Sequence, residues 1–458
     1  MSVRTVILAA GKGTRMKSDL AKVLHVAAGR PLLAWVLESV APLDAEETVV
    51  VVGHQADTVA ELVEGRGRSA LQAEQRGTAD AVQVGLAGLS DRSGTVLVLP
   101  GDMPLLSTKS LQGLLDHHEA TAATATVLTA RASDPSGYGR VLRDGDSVVG
   151  IVEDGDADQA QLAIDEINTS VYAFDGAALQ EALAEVTDDN SQTELYLTDV
   201  VEILVARGHR VGAVTTDEVE AMGVNSHEQL AAVSALIRQR INEAWMSAGV
   251  WMLDPARVYI DADVRLAPGV RLYPDVYLEG ATEVGEGAEI GPSVQLRDST
   301  VGPGASVRYS VVQGARIGVD VNVGPFTYLR PGADLAHGAK AGSFVEIKNS
   351  QVGRGSKVPH LSYVGDATIG EKSNLGAGTV TVNYDGFEKH HTTIGDRVRI
   401  GSDTMLVAPV TIGDDAYTGA GSVISEDVPP GSLAIERSDQ KEVPGYADRR
   451  RRRLEDPT

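Results

Sequence analysis

The sequence predicts an α/β domain with a mostly parallel sheet, followed by an all-β domain of six-residue repeats wound into a parallel β-helix. Strand-like and helix-like segments alternate from residue 3 to 226, residues 226–248 have a helical apolar spacing, and aliphatic residues recur every six positions from about 284 to 424. Helices and amphipathic strands have side-chain periods of about 3.6 and 2, so neither explains a period of six. A parallel β-helix does, because each short strand points one aliphatic residue inward before the chain turns a corner.

The first half of the chain alternates short β-branched runs with helix-like segments. The runs Val3–Ala9, Thr48–Val52 and Thr95–Leu99 suit buried strands. The segments Leu32–Val40 and Thr78–Leu89 between them suit helices. Such alternation predicts a sheet whose ligand crevice lies beyond the carboxyl ends of its strands.

A helix is predicted between the two halves, over Ser226–Ala248, where apolar residues fall three or four positions apart. We interpret it as a linker between domains, and a core helix of the first domain is the alternative. The predicted segments are therefore residues 1–225 for the α/β domain, 226–249 for the linker helix and 250–440 for the β-helix. Residues 441–458, with the run Arg449–Arg453, are predicted to be a disordered tail.

The six-residue period of the second half is carried by unbroken aliphatic series. One of them reads Ile317, Val323, Leu329, Leu335 and Ala341. Glycine often follows the inward aliphatic residue, where a coil must turn with little room for a Cβ atom. An irregular Gly- and Val-rich β domain is the alternative, and several unbroken series argue against it.

Composition restricts the classes of function. The chain has 458 residues, enough for two or three domains, and its net charge of −24 argues against binding to nucleic acids or to anionic membranes. It has no cysteine, which excludes disulfides, thiolate catalysis and cysteine-based zinc sites. No apolar run reaches the roughly 18 residues of a membrane span, so we expect a cytoplasmic protein without membrane insertion.

The first predicted strand runs directly into a glycine-rich loop with two cations, Gly11-Lys12-Gly13-Thr14-Arg15. Its glycines allow backbone N–H groups to approach an anion, and Lys12 and Arg15 supply positive charge, as does Lys22 further on. The spacing is neither that of the dinucleotide fingerprint nor that of the P-loop. A tight turn with solvated cations is therefore the alternative.

A carboxylate, Asp102, follows the strand that ends at Leu99. At a strand end an aspartate can hold Mg²⁺ against substrate phosphates. Capping of a helix that starts near Ser107 is the alternative. Further polar motifs occur in order at residues 72–78, 137–140, 151–153, 166–169 and 223–225.

Taken in this order, the motifs resemble those of sugar-nucleotide pyrophosphorylases. With the six-residue repeats behind them, the chain is similar over about residues 3–440 to the bifunctional N-acetylglucosamine-1-phosphate uridyltransferase and glucosamine-1-phosphate acetyltransferase family. The resemblance implies a Rossmann-like nucleotidyltransferase domain and a left-handed β-helix, although the general rule for parallel crossovers is right-handed. It implies acetyl transfer from acetyl-CoA to glucosamine-1-phosphate, then uridylyl transfer from UTP with release of pyrophosphate. The product, UDP-N-acetylglucosamine, is a precursor of bacterial-type cell-wall polymers.

For the nucleotidyl site the resemblance implies roles by position. Arg15 and Lys22 would neutralise the triphosphate and the charge at the α-phosphorus, while Asp102 and Asn225 would coordinate Mg²⁺. This fits phosphoryl-type transfer, which needs positioning and charge neutralisation more than a protein nucleophile. Selectivity for uridine over thymidine rests on the resemblance alone. The residues that would bind the nucleotide and the sugar are Leu8, Ala9, Ala10, Gly11, Lys22, Gln72, Gly77, Thr78, Gly139, Glu153, Asn168 and Asn225.

Two positions depart from the family's usual pattern. Ala21 stands where a proline commonly precedes the lysine, which predicts a looser loop around Lys22 because a fixed φ is lost. Pro100 stands where a tyrosine is common, which removes a side-chain contact but leaves the backbone contact of the Gly101–Asp102 pair.

For the acetyl site the resemblance implies that His360 is the general base that takes a proton from the glucosamine amine as it attacks acetyl-CoA. Histidine suits this role because its pKa ordinarily lies near working pH. Asp366 or Glu346 is expected to orient the ring, with no preference between them. The absence of cysteine favours direct transfer, and a serine nucleophile stays open. Glucosamine-1-phosphate would be bound by Arg330, Lys348, Tyr363, Asn374 and Lys389, and acetyl-CoA by Ala377, Asn383, Tyr384, Ser402, Ala420 and Arg437.

Exposed coil faces and a loop ejected at residues 383–391 predict a homotrimer, with each acetyl site built from neighbouring chains. One alternative function is a single-activity sugar-1-phosphate nucleotidyltransferase whose β-helix only drives assembly. Another is a sugar-nucleotide-sensing scaffold without catalysis, against which the retained Arg15, Lys22, Asp102 and His360 argue.

Overall fold

The computed structural model describes residues 2–455 and divides the chain into two compact units, one ending at Arg240 and the other beginning at Ile241. This boundary lies inside a long helix, within the segment 226–249 that the sequence analysis assigns to a linker. None of the helices in the described part of the chain is long and apolar enough to cross a membrane.

The first unit is an α/β domain in which helices alternate with strands. Its strands are β1 (Val3–Ala9), β2 (Val26–Ala27), β3 (Arg30–Pro31), β4 (Glu47–Val52), β5 (Arg68–Leu71), β6 (Thr95–Pro100), β7 (Ala125–Arg131), β8 (Arg140–Asp144), β9 (Ser147–Val152), β10 (Glu166–Asp175) and β11 (Val211–Thr216). Its helices are α1 (Leu32–Val40), α2 (Ala56–Val63), α3 (Thr78–Gly88), α4 (Thr108–Thr121), α5 (Gln159–Leu162), α6 (Gly176–Leu183) and α7 (Asp199–Ala206). The three strands and two helices predicted by range are reproduced to within a residue at each end.

The main sheet is mostly parallel, as the sequence predicts, and only β10 is reversed along its main path. Its order is β11–β7–β10–β6–β1–β4–β5, and β10 runs antiparallel to both of its neighbours. The segment before β10 holds the hairpin β8–β9 and a helix of only 4 residues, so it lacks the long crossover helix typical of a parallel return. As a result, β10 begins at the sheet edge where β1, β6 and β7 end, and Asn168 pairs there with Thr129.

Helices bury the sheet on both faces. Successive side chains of β1 point to opposite faces, so Val6 packs with residues of α3, α6 and α7, whereas Ile7 packs with residues of α1, α2 and α4. Both side chains are fully buried. Burial of a side chain of this size stabilises the fold by about 1.5–3 kcal/mol. The two apolar layers therefore fix the strand ends from which the loops of the first unit emerge.

The second unit is a parallel β-helix, whose strands contribute in rotation to three parallel sheets. The first sheet contains Trp251–Met252, Arg271–Leu272, Glu289–Ile290, Ser306–Val307, Asn322–Val323, Lys340–Ser343, Lys357–His360, Asn374–Leu375, Arg399–Ile400, Tyr417–Thr418 and Leu433–Ala434. The second contains Val258–Ile260, Val276–Glu279, Val294–Arg297, Val311–Gln313, Tyr328–Leu329, Glu346–Lys348, Tyr363–Gly365, Val380–Val382, Met405–Val407 and Val423–Ile424. The third contains Arg265–Leu266, Glu283–Val284, Thr300–Val301, Arg316–Ile317, Asp334–Leu335, Gln351–Val352, Ala367–Ile369, Thr392–Ile394 and Val410–Ile412.

The aliphatic residues of the six-residue series form the core of the coil. In the second sheet Leu329, Ile347 and Val364 follow one another in register, and all three are fully buried. The coil begins at Trp251, earlier than the periodic series from about residue 284 on which the prediction rests. The period of six therefore has the physical origin that the sequence analysis gives it.

Two further helices flank the coil in the sequence. Helix α8 (His227–Ser247) covers most of the predicted linker helix, and its Val233 and Ile237 are buried. Helix α9 (Tyr446–Glu455) lies in the tail that the sequence analysis predicts to be disordered, and it has no buried residue. Arginine has a high helix propensity, which a prediction based on charge alone does not weigh.

We expect Gly353→Ala to destabilise the β-helix. A Cβ atom there would lie 2.3 Å from the carbonyl oxygen of Gly370 on the next coil, and backbone cannot move aside as a side chain can. Overpacking of this kind costs about 1–3 kcal/mol, measurable as a lower unfolding temperature in calorimetry. Gly419→Ala is the matched control, because its Cβ atom would first meet the side chain of Ile435, at 3.0 Å. Equal losses in both variants would contradict the prediction.

Candidate functional site

The first unit contains a cavity of about 570 Å³ at the sheet edge where β1 and β6 end and β10 begins. All the residues that the sequence analysis assigns to the nucleotidyl site line it, namely Leu8, Ala9, Ala10, Gly11, Arg15, Lys22, Gln72, Gly77, Thr78, Asp102, Gly139, Glu153, Asn168 and Asn225. The chain thus brings together groups up to 217 positions apart, from Leu8 to Asn225.

The glycine-rich loop after β1 owes its shape to one close approach. Gly13 has a φ of 64°, and a Cβ atom at this position would lie 2.7 Å from Cβ of Lys22. Only glycine adopts this backbone conformation freely while leaving that space. Gly11 faces open space in the cavity, where its backbone can approach a ligand.

Lys22, Asp102 and Asn225 form the charged centre of the cavity. The Nζ atom of Lys22 lies 2.5 Å from Oδ2 of Asp102 and donates a hydrogen bond of 2.9 Å to Oδ1 of Asn225. One ammonium therefore joins three segments of the chain. The carboxylate and amide oxygens that the resemblance assigns to a metal ion already converge on one cation.

The two departures from the family's pattern have structural counterparts. Ala21 is fully buried with a φ of −55°, an angle that proline would also adopt, and its N–H donates to Oε1 of Gln55 at 2.8 Å. This hydrogen bond fastens the segment that the sequence analysis expects to be loose. At the other departure, the N–H of Gly101 still bonds to the carbonyl of Leu8, at 2.8 Å.

Carboxylates crowd the end of the cavity near β9 and β10. Oε1 of Glu153 accepts a hydrogen bond from Thr198 Oγ1 at 3.1 Å. Burial raises the pKa of Glu153, and the nearby Asp156 raises it further. Burial likewise raises the pKa of Asp199 to about 6, with added repulsion from Glu202 and Glu153. A ligand that donates hydrogen bonds, such as a sugar with hydroxyl groups, suits this end of the cavity.

Three residues near the cavity were missed by the sequence analysis as site residues. Gln75 Nε2 donates to the carbonyl of Ala10 at 2.7 Å and so holds the glycine-rich loop. Asp80 accepts from Gln72 Nε2 at 2.7 Å. Tyr138 lines the cavity, and burial, followed by the charge of Asp102, raises its pKa. Gln75 and Tyr138 lie within the quoted motifs, but their contacts join distant segments that no spacing rule connects.

The second unit carries a cationic cluster on its second sheet. Lys348 lies beside Lys389, and the hydrogen bond and repulsion between the two amino groups lower the pKa of Lys348. Arg330, one coil earlier, forms a 2.8 Å ion pair with Glu346. Two neighbouring lysines repel each other unless an anion lies between them, so the cluster favours an anionic ligand.

Tyr363 and Asn383 approach this cluster over a glycine. A Cβ atom at Gly365 would lie 2.4 Å from the Tyr363 hydroxyl oxygen and 2.9 Å from Nδ2 of Asn383. Asn383 Nδ2 also donates to Asp366, at 2.5 Å, and Asn349 Nδ2 donates to the other oxygen of that carboxylate at 2.6 Å. The carboxylate of Asp366 therefore anchors the start of the ejected loop.

His360 lies at the end of a strand of the first sheet, with an exposed side chain. Throughout residues 2–455 no side chain forms a hydrogen bond with its ring. Of the two carboxylates expected to orient it, Asp366 is bound to two asparagines and Glu346 to Arg330. Neither therefore fills the orienting role within this chain.

The other predicted acetyl-site residues continue the corner at which His360 lies. The backbone carbonyl of His360 accepts a hydrogen bond from the N–H of Gly378 on the next coil. In the same way the carbonyl of Ala377 accepts from the N–H of Asp403, and the carbonyl of Ser402 accepts from the N–H of Gly421. The corner therefore repeats from coil to coil. At its far end Arg437 donates to the carbonyl of Ala420 at 2.8 Å. Asn374 begins the strand just before Ala377. Tyr384 is exposed in the ejected loop and Lys389 lies at the cationic cluster.

The ejected loop, residues 383–391, holds itself together by contacts around Asp385. Oδ1 of Asp385 accepts from the N–H groups of Phe387 and Glu388 at 2.8 and 2.7 Å, and Oδ2 lies 2.7 Å from Nε2 of His390. These partners, first Glu388 and then His390, hold the pKa of Asp385 far below its ordinary range. At the tip, the Phe387 side chain is 92% exposed.

An apolar groove of about 880 Å³ runs along the second sheet of the β-helix. Its wall includes Phe326, Phe344 and Leu361, which are 57%, 59% and 63% exposed and occupy successive coils. Phe326 and Phe344 stack with ring centres 5.2 Å apart. Leu361 follows His360 directly, and Tyr363 also lines the groove, so the groove and the corner of His360 adjoin.

Two family models match the chain, one in each unit. Residues 5–200 match the MobA-like NTP transferase domain, and residues 391–426 match the bacterial transferase hexapeptide with six repeats.

Curated relatives match the chain over nearly its whole length. "Bifunctional protein GlmU" of Streptomyces avermitilis is 51% identical over 97% of this chain and 94% of its own length. The protein of the same name from Mycolicibacterium vanbaalenii is 52% identical over 97% and 93%, and that from Kineococcus radiotolerans is 53% identical over 96% and 91%.

We expect Asp199→Asn to stabilise the first unit at about pH 7.5 but not at about pH 4. The folded state raises the pKa of Asp199 from 3.8 to about 6, so between these values it binds more protons than the unfolded state. The free energy of unfolding therefore falls as the pH rises from about 4 to about 6, because the folded state must then hold an ionised carboxylate at this site. Above that range asparagine, which does not ionise, removes this destabilisation completely. Calorimetry should show an unfolding temperature higher by about 2–4 °C. Asp189→Asn, which makes the same change on the exposed surface, is the matched control. A gain for Asp199→Asn that is equal at both pH values would contradict the prediction.

Proposed function

The chain belongs to the family of bifunctional GlmU proteins, and on that premise we propose which of its residues carry each activity. It is a transferase with a nucleotidyltransferase domain and a left-handed β-helix of hexapeptide repeats. It acetylates glucosamine-1-phosphate and then joins the product to the uridylyl group of UTP. Near-full-length identity of about 50% supports two activities rather than the single-activity alternative.

In the uridylyl site, Arg15 and Lys22 bind the triphosphate and neutralise the charge that develops at the α-phosphorus. The observation that supports this most directly is the convergence of Lys22, Asp102 and Asn225 beside the glycine-rich loop. The sugar phosphate oxygen attacks the α-phosphorus in line and pyrophosphate leaves, so that catalysis rests on positioning and charge. The sugar is held near Glu153 and Asn168, whose polar groups accept and donate hydrogen bonds at that end of the cavity.

The donor set of this site fits a magnesium ion. Asp102 and Asn225 offer hard oxygen ligands that already share one cation, the ammonium of Lys22. Among residues 2–455 no cluster of three or more Asp, Glu, Cys or His side chains could hold a metal, so Asp102 and Asn225 would hold the ion together with groups from outside the chain. When bound, Mg²⁺ would supply positive charge beside the leaving pyrophosphate. Lys22, once parted from Asp102, is free to contact phosphate oxygens.

In the acetyl site, His360 takes the proton from the glucosamine amine while that amine attacks the thioester of acetyl-CoA. Lys348, Lys389 and Arg330 bind the sugar phosphate, which relieves the repulsion between the two lysines. Tyr363 and Asn374 complete this pocket. The chain has no cysteine to carry an acyl group, which favours direct transfer.

Acetyl-CoA lies along the corner that repeats from Ala377 to Ala420. The alignment of these backbone groups coil by coil supports an extended ligand there, with Arg437 facing a coenzyme phosphate. Asn383 and Tyr384 contact it from the ejected loop.

The functional assembly is a trimer in which neighbouring chains cover one another's apolar grooves. Support comes from the stacked aromatic residues at the groove, which are too exposed and too large to be left in water as a contiguous patch. Because His360 adjoins the groove and no side chain among residues 2–455 forms a hydrogen bond with its ring, a neighbouring chain supplies the missing part of the acetyl site.

The assignment predicts that the two activities separate by mutation. His360→Ala should abolish CoA release from glucosamine-1-phosphate and acetyl-CoA, while leaving pyrophosphate release from UTP and N-acetylglucosamine-1-phosphate unchanged. Asp102→Ala should do the reverse, lowering pyrophosphate release by about 100-fold or more, as expected for loss of a charge-stabilising group.

Both products are measured on the same preparations, so each activity reports on the folding of the variant that lacks the other. The exposed His391→Ala, in the ejected loop, is the control for His360. Retention of CoA release by His360→Ala would exclude the general-base role, and loss of both activities in either variant would exclude independent sites.

A second prediction concerns assembly. Phe344→Glu should convert the trimer to smaller species in light scattering, because a charge cannot be buried in an apolar interface without a partner. Acetyl transfer should fall with the trimer, while uridylyl transfer persists. Tyr446→Glu, which alters a similarly exposed aromatic residue in α9 (64% exposed), should leave the trimer intact. A trimer that survives Phe344→Glu would refute the groove as the interface.

A further inference from the structure

The side chain of Gln72 is held in one orientation in the nucleotide cavity. Its Nε2 atom donates to Oδ2 of Asp80 at 2.7 Å and makes a longer contact of 3.4 Å with the carbonyl of Gly77. Its Oε1 atom accepts no hydrogen bond from residues 2–455, although Gln72 lines the cavity. The amide therefore offers an acceptor, and not a donor, to a ligand.

Asp80 is what fixes this orientation. Its side chain is 5% exposed, and its second oxygen is bound to Arg76 at 2.6 Å. A carboxylate accepts hydrogen bonds and cannot donate them. Turning the Gln72 amide over would place its oxygen against a carboxylate oxygen in a buried site, with no hydrogen between them. That arrangement loses a hydrogen bond and adds repulsion, so it is strongly disfavoured.

An acceptor at this point discriminates between pyrimidine bases. Uracil and thymine carry a hydrogen on N3, whereas N3 of cytosine is itself an acceptor. We propose that Asp80 is a positioning residue that selects a base with an N3–H group by holding Gln72 with its oxygen towards the cavity. The inference rests on the proposed function, in which Gln72 contacts the base of the nucleotide.

Asp80 acts on the ligand indirectly, because its buried carboxylate fixes the side chain of Gln72 and does not itself contact the base. Asp80 lies in the first turn of α3, one residue beyond Ala79, whose N–H bonds to the carbonyl of Leu195. Helix α3 packs against β1, β4 and β5, so the carboxylate cannot retreat from Gln72 without moving the helix. The acceptor presented to the base is thereby set by the packing of the first unit.

Asp80→Asn tests the proposal. Asparagine can donate as well as accept, so Gln72 can turn over and offer Nε2 to N3 of cytosine. We expect the wild-type ratio of kcat/KM for UTP over CTP, with N-acetylglucosamine-1-phosphate, to fall by roughly 10-fold to 100-fold. The ratio does not depend on the fraction of active protein, so partial misfolding of the variant leaves it readable. A merely structural role would lower both rates together and leave the ratio unchanged.

Arg76→Ala is the matched control, because it removes the ion pair while leaving the carboxylate as an acceptor for Gln72. Its ratio of UTP to CTP should stay at the wild-type value. If the wild type, Asp80→Asn and Arg76→Ala all turn over UTP but the ratio of kcat/KM for UTP over CTP is unchanged in Asp80→Asn, the positioning role of Asp80 is overturned and the proposed function is not. Failure of the wild-type protein to release pyrophosphate from UTP would overturn the proposed function, and this inference with it.

Discussion

Hydrogen bonding between parallel strands is the constraint on which both units depend. In the first unit the parallel pairing of β1 with β6 sets Leu8 opposite Pro100, so the glycine-rich loop and Asp102 leave the sheet side by side. In the second unit the same pairing stacks each coil on the next at about 4.8 Å, so residues at one position of the repeat form a row. The row from Arg330 to Lys348 and the corner beyond His360 both arise in this way. The register of the parallel strands therefore determines where the residues of each site lie.

The charges at the two sites are handled differently. The protein has a net charge of −24, yet each site concentrates cations against that background. In the first unit the ammonium of Lys22 is neutralised by Asp102. In the second unit Lys348 and Lys389 face each other and remain poised for an anion. In the proposed sites, anionic substrates thus meet an internal ion pair in one unit and a pair of neighbouring lysines in the other.

The sequence predicts the broad architecture well because that architecture depends on short-range patterns. The period of six follows from one inward residue per strand, and the strands β1, β4 and β6 follow from β-branched runs. The residues of the nucleotidyl site also assemble as expected, since they lie at strand ends that meet at one edge. Motifs with a fixed place relative to a strand are therefore accessible from sequence.

What the sequence does not reveal are contacts between segments whose spacing is unconstrained. The antiparallel direction of β10 depends on the hairpin before it, and the bond from Ala21 to Gln55 joins positions 34 apart. The orientation of Gln72 depends on a buried carboxylate in the next helix. The free ring of His360 is likewise a property of three-dimensional packing. Such details decide specificity, although the pattern of the chain already decides the fold.

The loop that leaves the coil at residues 383–391 is held in one conformation by its own hydrogen bonds, which lowers the entropy that it would lose on binding. Its turn is tied by Asp385 to two backbone N–H groups and to His390, and Asp366 anchors its first residue, Asn383. A flexible loop of this length would lose conformational entropy on docking, about 1–2 kcal/mol for each residue that becomes fixed. Here the loss of conformational entropy has already occurred during folding. The exposed ring of Phe387 therefore projects from a loop whose conformation is already fixed. In the proposed trimer, burial of that ring against a neighbouring chain would therefore cost little further conformational entropy in the loop.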